Sequence, residues 1–238
     1  MQKILGNMRK AIQQYKMIEN GDRIAVGISG GKDSLILLKG LAQLRSFIGI
    51  DYDIVGITID PQFGGISGNY SIPAKMCSDL GIPYHIIPTH IGEVVFEIRH
   101  EKNPCSLCAR MRRGAIHGAA SELSCNKIAL GHNFDDTVET FIMNLFNEGR
   151  IGCYSPKTLL EDKNLTVIRP MIYCKEREIR RAVRTSGIDV VKSACPADGH
   201  TNRQKTKEFI AETERRDHGF KDRVFGAIQR GNIDGWGI

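Results

Sequence analysis

The chain has 238 residues, 41% of them hydrophobic and 25% charged, and a formal net charge of +6. That size suffices for one substantial α/β core, and no apolar run reaches the roughly 18 residues of a membrane span. Seven cysteines, an odd number spread along the chain, argue against a secreted disulfide scaffold and for a reducing cytoplasm.

The chain opens on "MQKILGNMRKAIQQYKMI", an amphipathic helix with no signal-peptide cleavage pattern. Residues 24–28 are short, apolar and β-branched, so they read as a buried strand. Ser29-Gly30-Gly31-Lys32-Asp33-Ser34 then makes a strand-to-helix turn with little side-chain bulk. Leu35, Ile36, Leu37, Leu38, Leu41 and Leu44 supply the apolar face of the following helix. A turn of this kind exposes backbone N–H groups at a helix N-terminus, where the helix dipole favours an anion. It is not the Walker loop, because Val26 stands where that loop needs its first glycine and Asp33 replaces the hydroxyl after Lys32. A dinucleotide G-x-G-x-x-G is missing too.

The alternation continues along the chain. Strands are expected at 51–60, 83–91, 127–132 and 165–172, and helices at 71–82, 108–125, 135–149 and 175–188. Strand and helix at this spacing imply a doubly wound, mostly parallel α/β sheet with helices on both faces. Ligands of such sheets sit beyond the carboxyl ends of the strands, at the topological switch point. The loop 29–34, Asp60 and the segment 131–136 all fall at those ends. The chain divides into an N-terminal helix (1–20), a nucleotide-binding core carrying the cysteines (21–200) and a short helical, charged C-terminal tail (201–238).

Gly131-His132 ends the fourth predicted strand and Asp135-Asp136 opens the next helix. Two carboxylates there cap a helix well, and beside a polyphosphate they also suit Mg²⁺. Cys105 and Cys108 form a C-x-x-C at a helix start, a pattern open to a redox dithiol, half of a zinc site, or part of an iron–sulfur cluster. No second close pair completes a usual structural zinc site. Cys195 precedes a proline, as in cluster-binding Cys-Pro sequences. Cys77, Cys125, Cys153 and Cys174 stand alone in apolar or helical contexts and read as buried small hydrophobes. Arg110, Arg112 and Arg113 follow the C-x-x-C, Arg177, Arg180, Arg181 and Arg184 lie on the 175–188 helix, and Arg203, Lys205 and Lys207 lie beyond Cys195. These clusters suit phosphate neutralisation.

Together these motifs resemble a known family. The loop at 29–34 is similar to the PP-loop of the N-type ATP pyrophosphatases, whose fold is the adenine nucleotide alpha hydrolase type. Those enzymes cleave ATP between the α and β phosphates and adenylate a substrate oxygen. The run C-S-L-C-x-R-x-R-R-G, then G-H-x-x-D-D, then A-C-P resembles the tRNA 2-thiocytidine synthetases. The similarity covers about residues 20–215. The paired-cysteine zinc modules of the 2-thiouridine relatives are missing, which favours the thiocytidine type.

The resemblance implies an ATP site of Ser29, Gly30, Gly31, Lys32, Asp33, Ser34, Asp60, Gly131, His132 and Asp135. It gives Lys32, Asp33 and Asp135 catalytic roles, with Asp33 and Asp135, joined by Asp136, as Mg²⁺ ligands. Cys105, Cys108 and Cys195 are the expected ligands of a [4Fe–4S] cluster whose fourth iron has no protein ligand and is able to hold sulfide. His200 is the competing fourth ligand. The substrate implied is tRNA, contacted by Arg110, Arg112 and Arg113. The sulfur comes from a cysteine desulfurase or free sulfide, in a cytoplasmic enzyme with no membrane partner and with room for a homodimer. Two rivals are sulfur transfer to a small molecule through a cysteine persulfide, and an ATP-gated RNA-binding or metal-sensing module without turnover.

Overall fold

A computed structural model describes residues 1–99, 104–191, 195–196 and 202–237. Its strands are β1 (Asp22–Gly27), β2 (Tyr52–Asp60), β3 (Tyr84–Pro88), β4 (Lys127–Ala129), β5 (Lys157–Leu160) and β6 (Leu165–Ile168). Its helices are α1 (Gln2–Gln14), α2 (Lys32–Leu44), α3 (Ser71–Asp79), the single turn α4 (Ile91–Glu93), α5 (Pro104–Glu122), α6 (Phe134–Asn147), α7 (Glu176–Thr185), α8 (Asn202–Arg216) and α9 (Phe220–Arg230).

The strands form one sheet in the order β3-β2-β1-β4-β6-β5. Every neighbouring pair is parallel except β5 and β6, which are antiparallel. The chain order therefore reverses at β1, whose neighbours are β2 on one side and β4 on the other. This is the switch point, where the loops leaving the two strands diverge and open a crevice. The mostly parallel α/β architecture expected from the alternation is the one observed.

Side chains alternate across the sheet as the strand period requires. Ile24 and Val26 of β1 join the core beneath α1, α2 and α6, whereas Ala25 faces the core under α5. In β2, Tyr52 and Ile54 belong to the first core, and Val55, Ile57 and Ile59 to the second. Gly27 permits close approach: a Cβ there would lie 2.9 Å from Ile116 Cδ1 of α5, which would have to shift. Its bare backbone lets α5 settle against the end of β1.

Several details differ from the sequence reading. β3 stops at Pro88 because residues 89–90 turn into α4. α5 begins at Pro104, where a missing N–H costs nothing, and so holds Cys105 and Cys108 in its first turn. β5 was not expected. It is a short edge strand joined to β6 by a turn in which Asn164 takes φ +47°. The C-terminal helices contribute Ile210, Phe225 and Ile228 to the larger core, and beyond them Trp236 is completely buried. Trp236 Nε1 donates to the Tyr154 carbonyl at 2.7 Å, tying the end of the chain to the segment before β5.

Candidate nucleotide and thiol site

The loop after β1 is shaped by its own serines. Ser34 Oγ accepts from the Ser29 N–H at 3.2 Å and donates to the Gly31 carbonyl at 2.9 Å. Gly30 holds φ +78° and receives the Val191 N–H on its carbonyl at 2.9 Å. Gly31 is the N-cap of α2 and supplies no side-chain cap, an arrangement whose first N–H groups suit an anion.

β4 delivers the second half. A Cβ on Gly131 would stand 3.2 Å from the Asp33 carbonyl carbon and the Ser34 nitrogen, so a side chain there would crowd the loop backbone against which this turn lies. Asn133 and Asp136 close a reciprocal capping box at the start of α6. The Asn133 side-chain amide also donates to Asp33 Oδ1 at 3.1 Å, linking the two turns directly.

Between them lies a cleft of about 430 Å³ at the switch point. Ser29, Asp33, Ser34, Gly131 and His132 form one rim, and Arg112 and Arg113 of α5 the other. Ile28, Ile57, Ile59 and Leu130 supply an apolar floor. An apolar cleft with a few convergent polar groups is the usual form of a small-molecule site. Arg112 and Arg113, expected to meet RNA, thus face the same space as the loop. Arg110 is exposed.

A network of charges stands behind the loop. Lys32 Nζ lies 2.8 Å from Asp33 Oδ2 and 3.1 Å from Glu176 Oε1. Burial works against its charge, but Asp33 and Glu176 outweigh that and raise its pKa. Asp135 accepts from the Glu176 N–H at 2.7 Å and from Lys221 Nζ at 2.6 Å. Arg203 bridges Asp136 at 2.7 Å and Glu139 at 2.9 Å, and Lys207 reaches Glu176 at 3.0 Å. Arg203, Lys207 and Arg180, expected among the phosphate-neutralising cations, pair with carboxylates here. Asp33 is the acid that lines the cleft, and its oxygens suit Mg²⁺. Asp135 and Asp136 stand outside the lining: Asp135 is engaged by Lys221 and the Glu176 N–H, and Asp136 by Arg203 and the Asn133 N–H.

Asp60 ends β2 but is buried, 1% exposed, and serves the loop that follows. Its carboxylate accepts from the Gln62 and Gly68 N–H groups and the Ser67 and Tyr70 hydroxyls. Burial favours its neutral form, yet these donors hold its pKa below the usual value.

Cys105 is exposed, Cys108 buried and Cys195 half-buried. Burial pushes the Cys108 thiol up; Arg112 opposes this, and the Cys195 and Cys105 thiols add to it. Both of the other expected cluster thiols thus act on Cys108. Among the described residues, no three His, Cys, Asp or Glu side chains converge tightly enough for a single metal ion. Three thiols suit iron–sulfur chemistry by the softness of their sulfurs. The competing ligand His200 lies outside the described residues. Cys77, Cys125, Cys153 and Cys174 are buried, as expected, and burial pushes Cys77 up to about 11 and Cys153 up to about 12.

A family described as the PP-loop domain matches residues 3–213. The tRNA-cytidine(32) 2-sulfurtransferase of Pelobacter propionicus is 41% identical over 86% of this chain and 77% of its own length. The enzyme of the same name from Geobacter metallireducens is 37% identical over 95% of this chain and 88% of its own. The chain belongs to the PP-loop family, in its tRNA-cytidine 2-sulfurtransferase branch. Its fold is that of the U34-tRNA thiolase of Methanococcus maripaludis, solved with its [4Fe–4S] cluster. That match has a TM-score of 0.76 at 24% identity, covering 94% of this chain and 77% of that one.

Seen as a PP-loop protein, the chain holds site residues that motif reading missed. Glu176 opens α7 like any helix-capping acid, and only the folded chain brings it to Lys32. His117 lines the cleft one turn beyond Arg113 with its pKa lowered, by burial first and then by Lys163 and Arg113. Arg169 and Tyr154 hold His132: the Arg169 Nε donates to His132 Nδ1 at 3.3 Å, and the Tyr154 ring lies 4.7 Å from the imidazole. No sequence pattern distinguished any of these from ordinary surface or core residues.

Proposed function

We propose that the chain catalyses ATP-dependent replacement of the C2 oxygen of a tRNA cytidine by sulfur, releasing AMP and pyrophosphate. Membership of the PP-loop family and the names of its relatives support this reading. The observation that carries it is the position of α5. This one helix begins with Cys105 and Cys108 and, about 6 Å further along its axis, presents Arg112 to the nucleotide cleft. Thiols and phosphate site are thereby joined by a rigid element.

In this reading the 29–34 loop and the start of α2 receive the β and γ phosphates. Lys32, Arg112 and Arg113 offset negative charge as pyrophosphate leaves, and Asp33 would hold Mg²⁺. The cytidine O2 attacks the α-phosphorus, the α–β bridging P–O bond breaks, and O2 becomes part of an adenylate. Sulfide then adds at C2, and the C2–O bond breaks with AMP as the leaving group. A [4Fe–4S] cluster on Cys105, Cys108 and Cys195 would supply a soft Lewis-acid centre for that sulfide. A cysteine desulfurase or free sulfide is the source, in the cytoplasm.

The test is anaerobic incubation with tRNA, ATP, Mg²⁺ and sulfide, followed by nucleoside mass spectrometry and measurement of AMP and pyrophosphate. The expected result is 2-thiocytidine in step with AMP, both dependent on tRNA. AMP formed equally well without tRNA would favour a small-molecule acceptor, and no turnover would leave a binding module.

A further inference from the structure

We propose that Arg169 is a positioning residue that fixes His132 in its Nε2–H tautomer, so that the imidazole offers a hydrogen-bond donor to an anionic oxygen in the cleft. The argument begins with donor inventory. Arginine has N–H donors and no acceptor. Its Nε lies 3.3 Å from His132 Nδ1, so that nitrogen must present its lone pair. A neutral imidazole with a bare Nδ1 carries its proton on Nε2.

The surroundings hold both partners in place. Arg169 Nη1 donates to the Ser155 carbonyl at 2.6 Å, and its guanidinium carbon lies 4.9 Å from the Tyr154 ring centroid. The same ring stacks at a 32° tilt on His132. The Tyr154 hydroxyl bonds to Thr137 Oγ1 at 2.9 Å, which anchors the ring on α6. His132 is thus sandwiched in position, with one nitrogen committed to Arg169 while the residue lines the cleft. Burial, with the charges of Arg169, Arg203 and Arg113, pushes its pKa down to about 3, so the ring stays neutral. The unexpected edge strand acquires a purpose here, because Ser155 leads into β5 and the Arg169 carrier follows β6.

The donor half of this inference rests on the reading that a nucleotide occupies the cleft; the tautomer does not. Two experiments separate them. In ¹⁵N-histidine-labelled, ligand-free protein at pH 7.5, the His132 nitrogens should show protonated Nε2 and bare Nδ1. Next, ATP affinity is measured in a double-mutant cycle. His132→Gln places an amide N–H near the Nε2 position and should bind ATP within about threefold of wild type, whereas His132→Asn should lose about tenfold. Arg169→Met should cost about tenfold in the wild-type background but under about twofold in His132→Gln, whose donor needs no tautomer. Arg169→Lys, also donor-only, should retain the tautomer and most of the affinity. A protonated Nδ1 in the wild type, or an equal cost of Arg169→Met in both backgrounds, would overturn the proposal. Failure of the wild type to bind ATP would remove the nucleotide reading and the donor role with it, while the spectrum would still decide the tautomer.

Discussion

Glu176 at the start of α7 holds Lys32 of the phosphate loop at 3.1 Å, joining two segments far apart in sequence across the carboxyl edge of the sheet. Burial alone would raise the Glu176 pKa, but Lys207, Lys32 and Arg180 hold it down at about 2. Its folded pKa is therefore depressed below the ordinary 4.5. A depressed carboxylate contributes stability that is present above pH 4.5 and lost as pH falls toward 2. Glu176→Gln should lower stability at pH 7 by at most about 3 kcal/mol and flatten the acid limb in that window. Denaturant melts at pH 3 and pH 7 check this, and an unchanged pH slope would show that the contact carries no linkage.

Ser34→Ala tests whether the loop is preformed. The variant loses the acceptor for the Ser29 N–H and the donor to Gly31, at a cost of about 1–2 kcal/mol. ATP affinity should fall about tenfold while the far-ultraviolet spectrum is preserved. Wild-type affinity would mean that the serine hydroxyl does not set the loop. Lys32→Ala and Asp33→Ala, both partly exposed at the start of α2, should fold and yet release no pyrophosphate.

The two cleft arginines should have a double effect. Replacing Arg112 and Arg113 with alanine is expected to weaken ATP binding, because both line the cleft. It should also flatten the salt dependence of tRNA binding by a slope of about 1–2, if each meets one phosphate. Filter binding from low to high salt measures the second effect. Loss of ATP affinity with an unchanged tRNA slope would confine both residues to the nucleotide.

Cysteine replacement separates the three expected cluster ligands from the other cysteines. Cys105→Ala, Cys108→Ala and Cys195→Ala should each lose iron, sulfide and thiolation together after anaerobic purification. ATP binding should persist, since the phosphate loop is built from other segments. Cys77, Cys125, Cys153 and Cys174 keep neutral thiols, pushed up by burial, and their replacement should spare iron. Full iron retention in Cys195→Ala would remove that residue from the ligand set.

The parts legible in the sequence are those written locally. Residues 24–28, the 29–34 turn and Gly131 each carry their own signature in apolar pattern or glycine placement. Cys105 and Cys108 declare themselves by spacing. What escaped is written across the chain: Glu176 reads as a helix-capping acid until α7 comes to lie beside α2. Arg203 reads as a phosphate-neutralising cation and no motif marks Lys221, until α8 and α9 pack on α6 and turn them toward Asp136 and Asp135. β5 escaped because it is short, half-exposed and edge-lying, with little alternation to betray it. The contacts of Asp60 escaped as well, since no local pattern announces that this strand-end carboxylate organises the loop that follows it.

The measurement that bears most directly on the adenylation chemistry is the fate of the cytidine oxygen. tRNA carrying ¹⁸O at cytidine C2, turned over anaerobically with ATP, Mg²⁺ and sulfide, should yield AMP labelled with one ¹⁸O for each 2-thiocytidine formed. Pyrophosphate should remain unlabelled. Unlabelled AMP alongside 2-thiocytidine, or label in pyrophosphate, would contradict attack of that oxygen on the α-phosphorus.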